Sequence, residues 1–203
     1  MRRSPHTNFH RMRGRMATAI RSKKHLVWID CEMTGLEPAR DRLLEIATII
    51  TNYDLEIVAR GPVLAIRQSE ARLQAMDAWN RRTHRKSGLL ERVRKEGVSV
   101  AEAERQTLAF VKKYCYAQTA PLCGNSVGHD KRFLARYMPQ LKDFLHYRII
   151  DVSSIKVLVA EWYDGRYKPP QKPDVHRALA DIEQSIAELD YYRNHVFVGL
   201  KKQ

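Results

Sequence analysis

The sequence predicts an α/β fold with a mixed sheet flanked by helices. Three observations lead there. Three consecutive β-rich runs, joined by short connections, open the body of the chain. Two short strand candidates then each precede a helix. A long final helix carries one apolar stripe. An antiparallel start followed by alternating strand and helix is the order of a mixed sheet.

The first strand is Leu26 to Met33 within LVWIDCEMTGL, a short run of large apolar residues stopping at Thr34-Gly35. Thr34 to Asp41 is a loop holding Gly35 and Pro38. Leu43 to Thr51 reads as a second strand from its β-branched content. After a turn at Asn52-Tyr53-Asp54, Leu55 to Ile66 is a third strand with an expected break at Gly61-Pro62. Residues 69–96 are polar and helical in character, ending at Gly97. Ser99 followed by Glu102 has the spacing of a capping box, opening a helix that buries Ala103, Leu108, Phe110 and Val111.

Pro121 to Gly124 is a short strand, and Ser126 is the expected N-cap of the helix carrying Asp130, Phe133, Leu134 and Tyr137. Pro139 ends that helix. Arg148 to Val152 is another short strand, with Ser153 or Ser154 starting a helix through Tyr163. Asp164 to Pro173 is a Gly/Pro/Lys loop. The last helix runs from about Val175 to His195, with Leu179, Ile182, Ile186 and Leu189 on its buried face.

Residues 1–25 contain eight Lys or Arg and no acid, which leaves 28 basic against 23 acidic residues, a net of +5, in the rest of the +13 chain. Most of the basicity therefore belongs to a tail, and it is a weak argument for nucleic-acid binding by the body. We expect residues 1–25 to be a basic disordered arm, residues 26–197 the folded domain, and 198–203 a short C-terminal tail. The same N-terminal composition also suits an organellar transit peptide, or an upstream extension preceding a start at Met16. The expected setting is cytoplasmic, or mitochondrial if the tail is a transit peptide. Cys31, Cys115 and Cys123 lack metal-type spacing and read as free thiols in a reducing compartment. No apolar run approaches the roughly 18–20 residues of a membrane span.

Asp30 and Glu32 are two apart on a strand, so they project from one face. Such a pair is either a solvated edge or half of a hard-metal site, because two like charges are costly to bury without a cation between them. Asp130 one turn into its helix suits the helix N-terminus electrostatically. Asp181 lies on the flank of the last helix's apolar stripe, where an acid is often simply solvated.

Taken together, Asp30-x-Glu32, Asp130 and His176-x-Ala178-x-x-Asp181 resemble the DEDD exonucleases of the DnaQ-like, ribonuclease H-fold group, in the subgroup whose last motif carries histidine. Within that group the chain is similar to the oligoribonuclease family. The similarity rests on WIDCEMTGLEPARDRLLEIAT, MDAWNRRTHRKSGL, CGNSVGHDKRFLARYMP, HYRIIDVSS and HRALADIEQSIAELDYYRNH, spanning about residues 26–197. One position departs: relatives often carry a second acid before the last Asp, where this chain has Ala180.

The resemblance implies a ribonuclease H-like fold. It also implies a 3′-to-5′ exoribonuclease that cuts very short RNA, chiefly dinucleotides, to mononucleotides. Asp30, Glu32, Asp130 and Asp181 would hold two Mg²⁺ or Mn²⁺ ions, and His176 would act as general base. Leu36 and Trp79 would wedge against the bases, although MDAWN also suits core packing. Ser126, Arg148 and Ser153 would close around the terminal 5′ phosphate, each serine doubling as a helix cap. Tyr147 would reach the active site of a second subunit in a homodimer, and His84 is a further residue near the substrate. Two other readings stay open: an exonuclease of this fold acting on longer RNA or on DNA, as in tRNA trimming or proofreading, and a catalytically idle nucleic-acid-binding protein.

Overall fold

The computed structural model describes residues 21–170 and 177–197. Its centre is a sheet of β1 (His25–Met33), β2 (Leu43–Asn52), β3 (Ile57–Ala65), β4 (Leu122–Gly124) and β5 (Ile149–Asp151). The strand order is β3-β2-β1-β4-β5. The first three strands pair antiparallel, and β4 joins β1 and β5 in parallel. The sheet is mixed, as the element order predicts.

Alternation along β1 divides the molecule. Val27, Ile29 and Cys31 face one layer with Val111, Phe133 and Leu134. That layer is formed by α4 (Val100–Tyr114), α5 (Gly128–Tyr137) and α6 (Pro139–Phe144). Leu26 and Trp28 face the other, against Ile182, Ile186 and Tyr192 of α8 (Ala178–His195). Trp28 is fully buried, and its indole N–H donates to Thr51 Oγ1 at 2.9 Å, so the ring is anchored without an orphaned donor. A third cluster, including Leu44, Leu73, Leu90 and Val93, packs α1 (Glu70–Gln74) and α3 (Leu89–Lys95) against the start of β2, with α2 (Ala78–Lys86) lying against α3.

Several local expectations change. β3 is continuous through Gly61-Pro62 rather than broken. The register with β2 slips there, between the pairs Ala47–Val63 and Ile49–Arg60. An edge strand tolerates proline's missing N–H at such an irregularity. Gly61 is also needed for packing, since a Cβ would lie 2.6 Å from the Phe110 ring. Residues 69–96 divide into the three short helices α1, α2 and α3. Ser99 Oγ accepts from the Glu102 N–H at 3.1 Å, but the Glu102 carboxylate pairs with Arg105 and Gln106, so only half of the capping box forms.

Pro139 closes one helix and opens the next, at the first position of α6, where its missing N–H is harmless. The helix after β5, α7 (Val152–Trp162), is capped by Asp151, which accepts from the Ser153 N–H, not by Ser153 or Ser154. Ser126 does not cap α5 either. The expected start of the last helix at Val175 falls outside the described residues. The three cysteines are free and buried.

Candidate active site

The carboxyl ends of β1, β4 and β5 converge at one edge of the sheet, the usual place for a ligand in an α/β sheet. Asp30 and Glu32 continue the Leu26–Trp28 row of β1, so a stripe that begins as core ends as acid. α8 packs over the same row and brings Asp181, in its first turn, to them. One carboxylate oxygen from each of Asp30, Glu32 and Asp181 lies within 4.8 Å of the others. Asp130 stands beside this cluster on α5, buried, with Oδ1 accepting from the Cys31 N–H at 2.9 Å.

These acids are desolvated and mutually repelling. Burial, then the charges of Asp130, Glu32, Asp181 and Glu45, raise the Asp30 pKa well above the carboxylate range. Burial, followed by Asp181, Glu45 and Asp130, pushes Glu32 up to about 8. Burial lifts Asp130 to about 7 against the opposing pull of the Cys31 N–H. Such a set of hard oxygen donors fits a divalent cation, which would satisfy the charge that the protein leaves unbalanced.

The cleft above the cluster is lined by Asp30, Glu32, Leu36, Trp79, Ser126 and His129, among others. Leu36 is 65% exposed and Trp79 53%, so Trp79 is not a core residue and both offer apolar surface at the mouth. His84 is buried: Nε2 donates to the Met33 carbonyl at 2.9 Å, and Nδ1 lies 3.9 Å from Glu32. His84 thus stands against Glu32 and the end of β1.

Ser126 adopts a left-handed backbone, φ +49°, unusual outside glycine and asparagine. Its N–H donates to Asp151 Oδ1 at 3.0 Å and to Ser153 Oγ at 2.8 Å, and the two serine hydroxyls are 3.1 Å apart. The two serines predicted to act together do meet. Arg148 is exposed, its guanidinium 5.3 Å from the Tyr147 ring centre. Tyr147 is 71% exposed and lines a depression with Lys131, Lys142 and His146 rather than its own chain's cleft. His176 lies outside the described residues.

Sequence reasoning missed three contributors. Glu45 is buried opposite Glu32 in the β1–β2 register; it pairs with Arg92 and accepts from the Ala178 N–H at 3.2 Å, pinning the start of α8. Its place in LLEIATIIT offers no signal, because a single acid in a β-branched run looks like a solvated position. Asp151, in β5 as expected, is also the cap of α7 and the acceptor that holds Ser126. His129 precedes Asp130 and is exposed on the cleft wall; only its neighbour hinted at it.

Comparison with known proteins accords with this geometry. The RNase T model, described as an exonuclease family, matches residues 27–189. The chain is 53% identical over 173 residues to the oligoribonuclease of Shewanella oneidensis, covering 85% of this chain and 96% of that one. It is 52% identical over 178 residues to the oligoribonuclease of Paracidovorax citrulli, covering 88% and 92%. Among solved structures, the zinc-bound complex of E. coli exonuclease I with single-stranded DNA superposes with a TM-score of 0.68 at 14% identity, covering 86% of this chain and 41% of that chain. Exonuclease I of Methylocaldum szegediense gives 0.63 at 17% identity, covering 85% and 41%. At such identities these structures speak for the ribonuclease H-like exonuclease fold alone.

Proposed function

The chain belongs to the RNase T exonuclease family and, within it, to the oligoribonucleases, and from that premise we propose a 3′-to-5′ exoribonuclease that hydrolyses very short RNA, chiefly dinucleotides, to 5′-mononucleotides as the last step of RNA degradation. The observation that carries the reading is the meeting of Asp30, Glu32 and Asp181 below a cleft walled by Leu36 and Trp79.

Asp30, Glu32, Asp130 and Asp181 would hold two Mg²⁺ or Mn²⁺ ions. When bound, such a pair activates a water and stabilises the leaving oxygen of a phosphodiester. His176 takes the proton of the attacking water, a role suited to a group titrating near neutrality. His84 steadies Glu32 from the buried side. Leu36 and Trp79 supply apolar and aromatic surface that grips bases of any identity.

Ser126 and Ser153 receive the terminal 5′ phosphate with Arg148, whose planar fork matches phosphate oxygens. A closed grip on that phosphate leaves no path for a further nucleotide, which accounts for the preference for the shortest substrate. Tyr147 completes the neighbouring site in a homodimer. In support, β5, which follows Tyr147, is an edge strand of the sheet, and α7 exposes Val157, Leu158 and Trp162. The bacterial relatives favour a cytoplasmic setting, and no helix among the described residues is long and apolar enough to cross a membrane.

The test is a length series of 5′-phosphorylated RNA from two to about ten nucleotides, with Mg²⁺ and with Mn²⁺. A steep preference for the dinucleotide is expected. A flat profile, or equal action on DNA, would instead identify an exonuclease of longer chains, and binding without metal-dependent cleavage would identify a binding protein.

A further inference from the structure

α8 presents a polar line along one side: Asp181, Ser185, Glu188 and Tyr192, at the spacing of a single helical face. Asp181 belongs to the acid cluster. The next three have no part in the chemistry described so far, yet Ser185, Glu188 and Tyr192 are buried. A buried acid needs partners, and Glu188 has three. It accepts from the Tyr192 hydroxyl at 3.2 Å and from the Asn125 amide at 3.1 Å, and Lys156 Nζ lies 3.2 Å away.

Asn125 is the junction. It follows β4, immediately before the strained Ser126. Its Nδ2 donates to Ser185 Oγ at 2.9 Å and to Glu188 Oε2, and its Oδ1 accepts from Ser153 Oγ at 3.1 Å. Ser185 Oγ in turn donates to the Asp181 carbonyl at 2.9 Å. One side-chain amide thus uses both hydrogens and its oxygen to join two structures. On one side is the helix turn bearing Asp181. On the other is the serine pair at the ends of β4 and β5. A planar amide with every group engaged has no rotational freedom left.

We propose that Glu188 and Asn125 are positioning residues that set the separation between the acid cluster and the Ser126–Ser153 pair, and so set the length of RNA the enzyme favours. This rests on the reading that the serine pair receives the 5′ phosphate. Without the Glu188 anchor the Asn125 amide loses its preferred orientation, and Ser153 loses its alignment with Ser126. The acids remain held by β1, α5 and the first turn of α8, so the bond-breaking machinery stays intact. A dinucleotide, which must satisfy both ends at once, feels the change. A longer chain, cut more slowly with its 5′ phosphate away from the serine pair, does not.

The experiment compares wild type, Glu188→Ala, Glu188→Gln and Ser185→Ala as full-length chains, on a 5′-phosphorylated dinucleotide, its 5′-hydroxyl counterpart and a pentanucleotide. Glu188→Ala is expected to raise KM for the phosphorylated dinucleotide about tenfold, the scale of lost alignment of one or two hydrogen bonds. Its kcat, the pentanucleotide kinetics and the Mg²⁺ activation curve should stay within about twofold of wild type. KM for the 5′-hydroxyl dinucleotide should barely move. Glu188→Gln, which keeps an acceptor for Asn125, should restore the preference.

Equal losses on dinucleotide and pentanucleotide, or a shifted Mg²⁺ curve, overturn the proposal in favour of general structural support. If Glu188→Ala does not fold, Ser185→Ala carries the test, with the same preference for the phosphorylated dinucleotide expected to shrink. An undiminished preference in either folded variant also overturns it. A wild-type enzyme indifferent to length or to the 5′ phosphate overturns the underlying reading, a result visible before any variant is measured.

Discussion

The acid cluster and the serine pair occupy the same edge of one sheet but differ in how complete they are. Asp30, Glu32 and Asp181 repel one another and are held partly out of water. The serine pair is satisfied: the Ser126 N–H, the Ser153 N–H and the two hydroxyls all have partners among Asn125, Ser126, Asp151 and Ser153. The first arrangement is stressed until a cation arrives. The second is organised in advance. Recognition and chemistry therefore make different demands on stability.

The sharpest contrast comes from Asp30→Asn and Asp181→Asn. Each should lower hydrolysis by about 10³-fold or more, because metal-assisted stabilisation of the transition state is worth several kcal/mol. Each should also raise the melting temperature of the metal-free protein by relieving repulsion. Near-full activity in metal-saturated buffer would sink the cluster assignment. His176→Ala should reduce kcat by roughly 10²–10⁴-fold, as for loss of a general base, while dinucleotide affinity is retained. A loss confined to binding would contradict its role.

At the serine end, Ser153→Ala should leave kcat nearly unchanged and raise KM for a 5′-phosphorylated dinucleotide about tenfold. If kcat fell with KM unmoved, the two regions would not be separable in the way described. The smallest effect is on stability against pH. The Glu32 pKa is raised in the fold to about 8 from an ordinary value of 4.5. The stability linked to it is fully present below about pH 4.5 and is lost as pH rises through about 8. The metal-free protein should therefore melt a few degrees lower at about pH 8.5 than at about pH 5.5, and Mg²⁺ should recover more at the higher pH. Glu32→Gln should flatten that decline. Identical slopes in wild type and variant would refute the electrostatic account.

What the sequence disclosed follows from what is local. β1 was legible because alternation and the two-residue spacing of Asp30 and Glu32 are properties of a strand by itself. The stripe of α8 was legible for the same reason, since Ile182 and Ile186 repeat at the helical period. The parts that escaped depend on neighbours distant in sequence. Ser126 looked like a cap because serine before a helix usually is one, but Asp151 and Ser153, over twenty residues later, draw its backbone into the left-handed region. Gly61-Pro62 looked like a break, and only the edge position of β3 makes a proline acceptable there. Glu45 carries no signal of its own, and only the pairing with β1 and the arrival of Arg92 and α8 bury it. His84 was expected near the substrate from its motif, and packing alone reveals that it is buried beside Glu32.

The sheet order has a consequence for when the enzyme becomes an enzyme. β1, β2 and β3 follow one another and pair through short connections, so they can assemble early from nearby contacts. Asp181 comes from the opposite end of the chain, on the helix that closes over β1 and β2. During synthesis, which delivers the N-terminal strands first, Asp30 and Glu32 stand without their third carboxylate until α8 has emerged and docked. Nuclease competence thus waits on α8, and a molecule clipped before Asp181 is expected to be silent toward RNA.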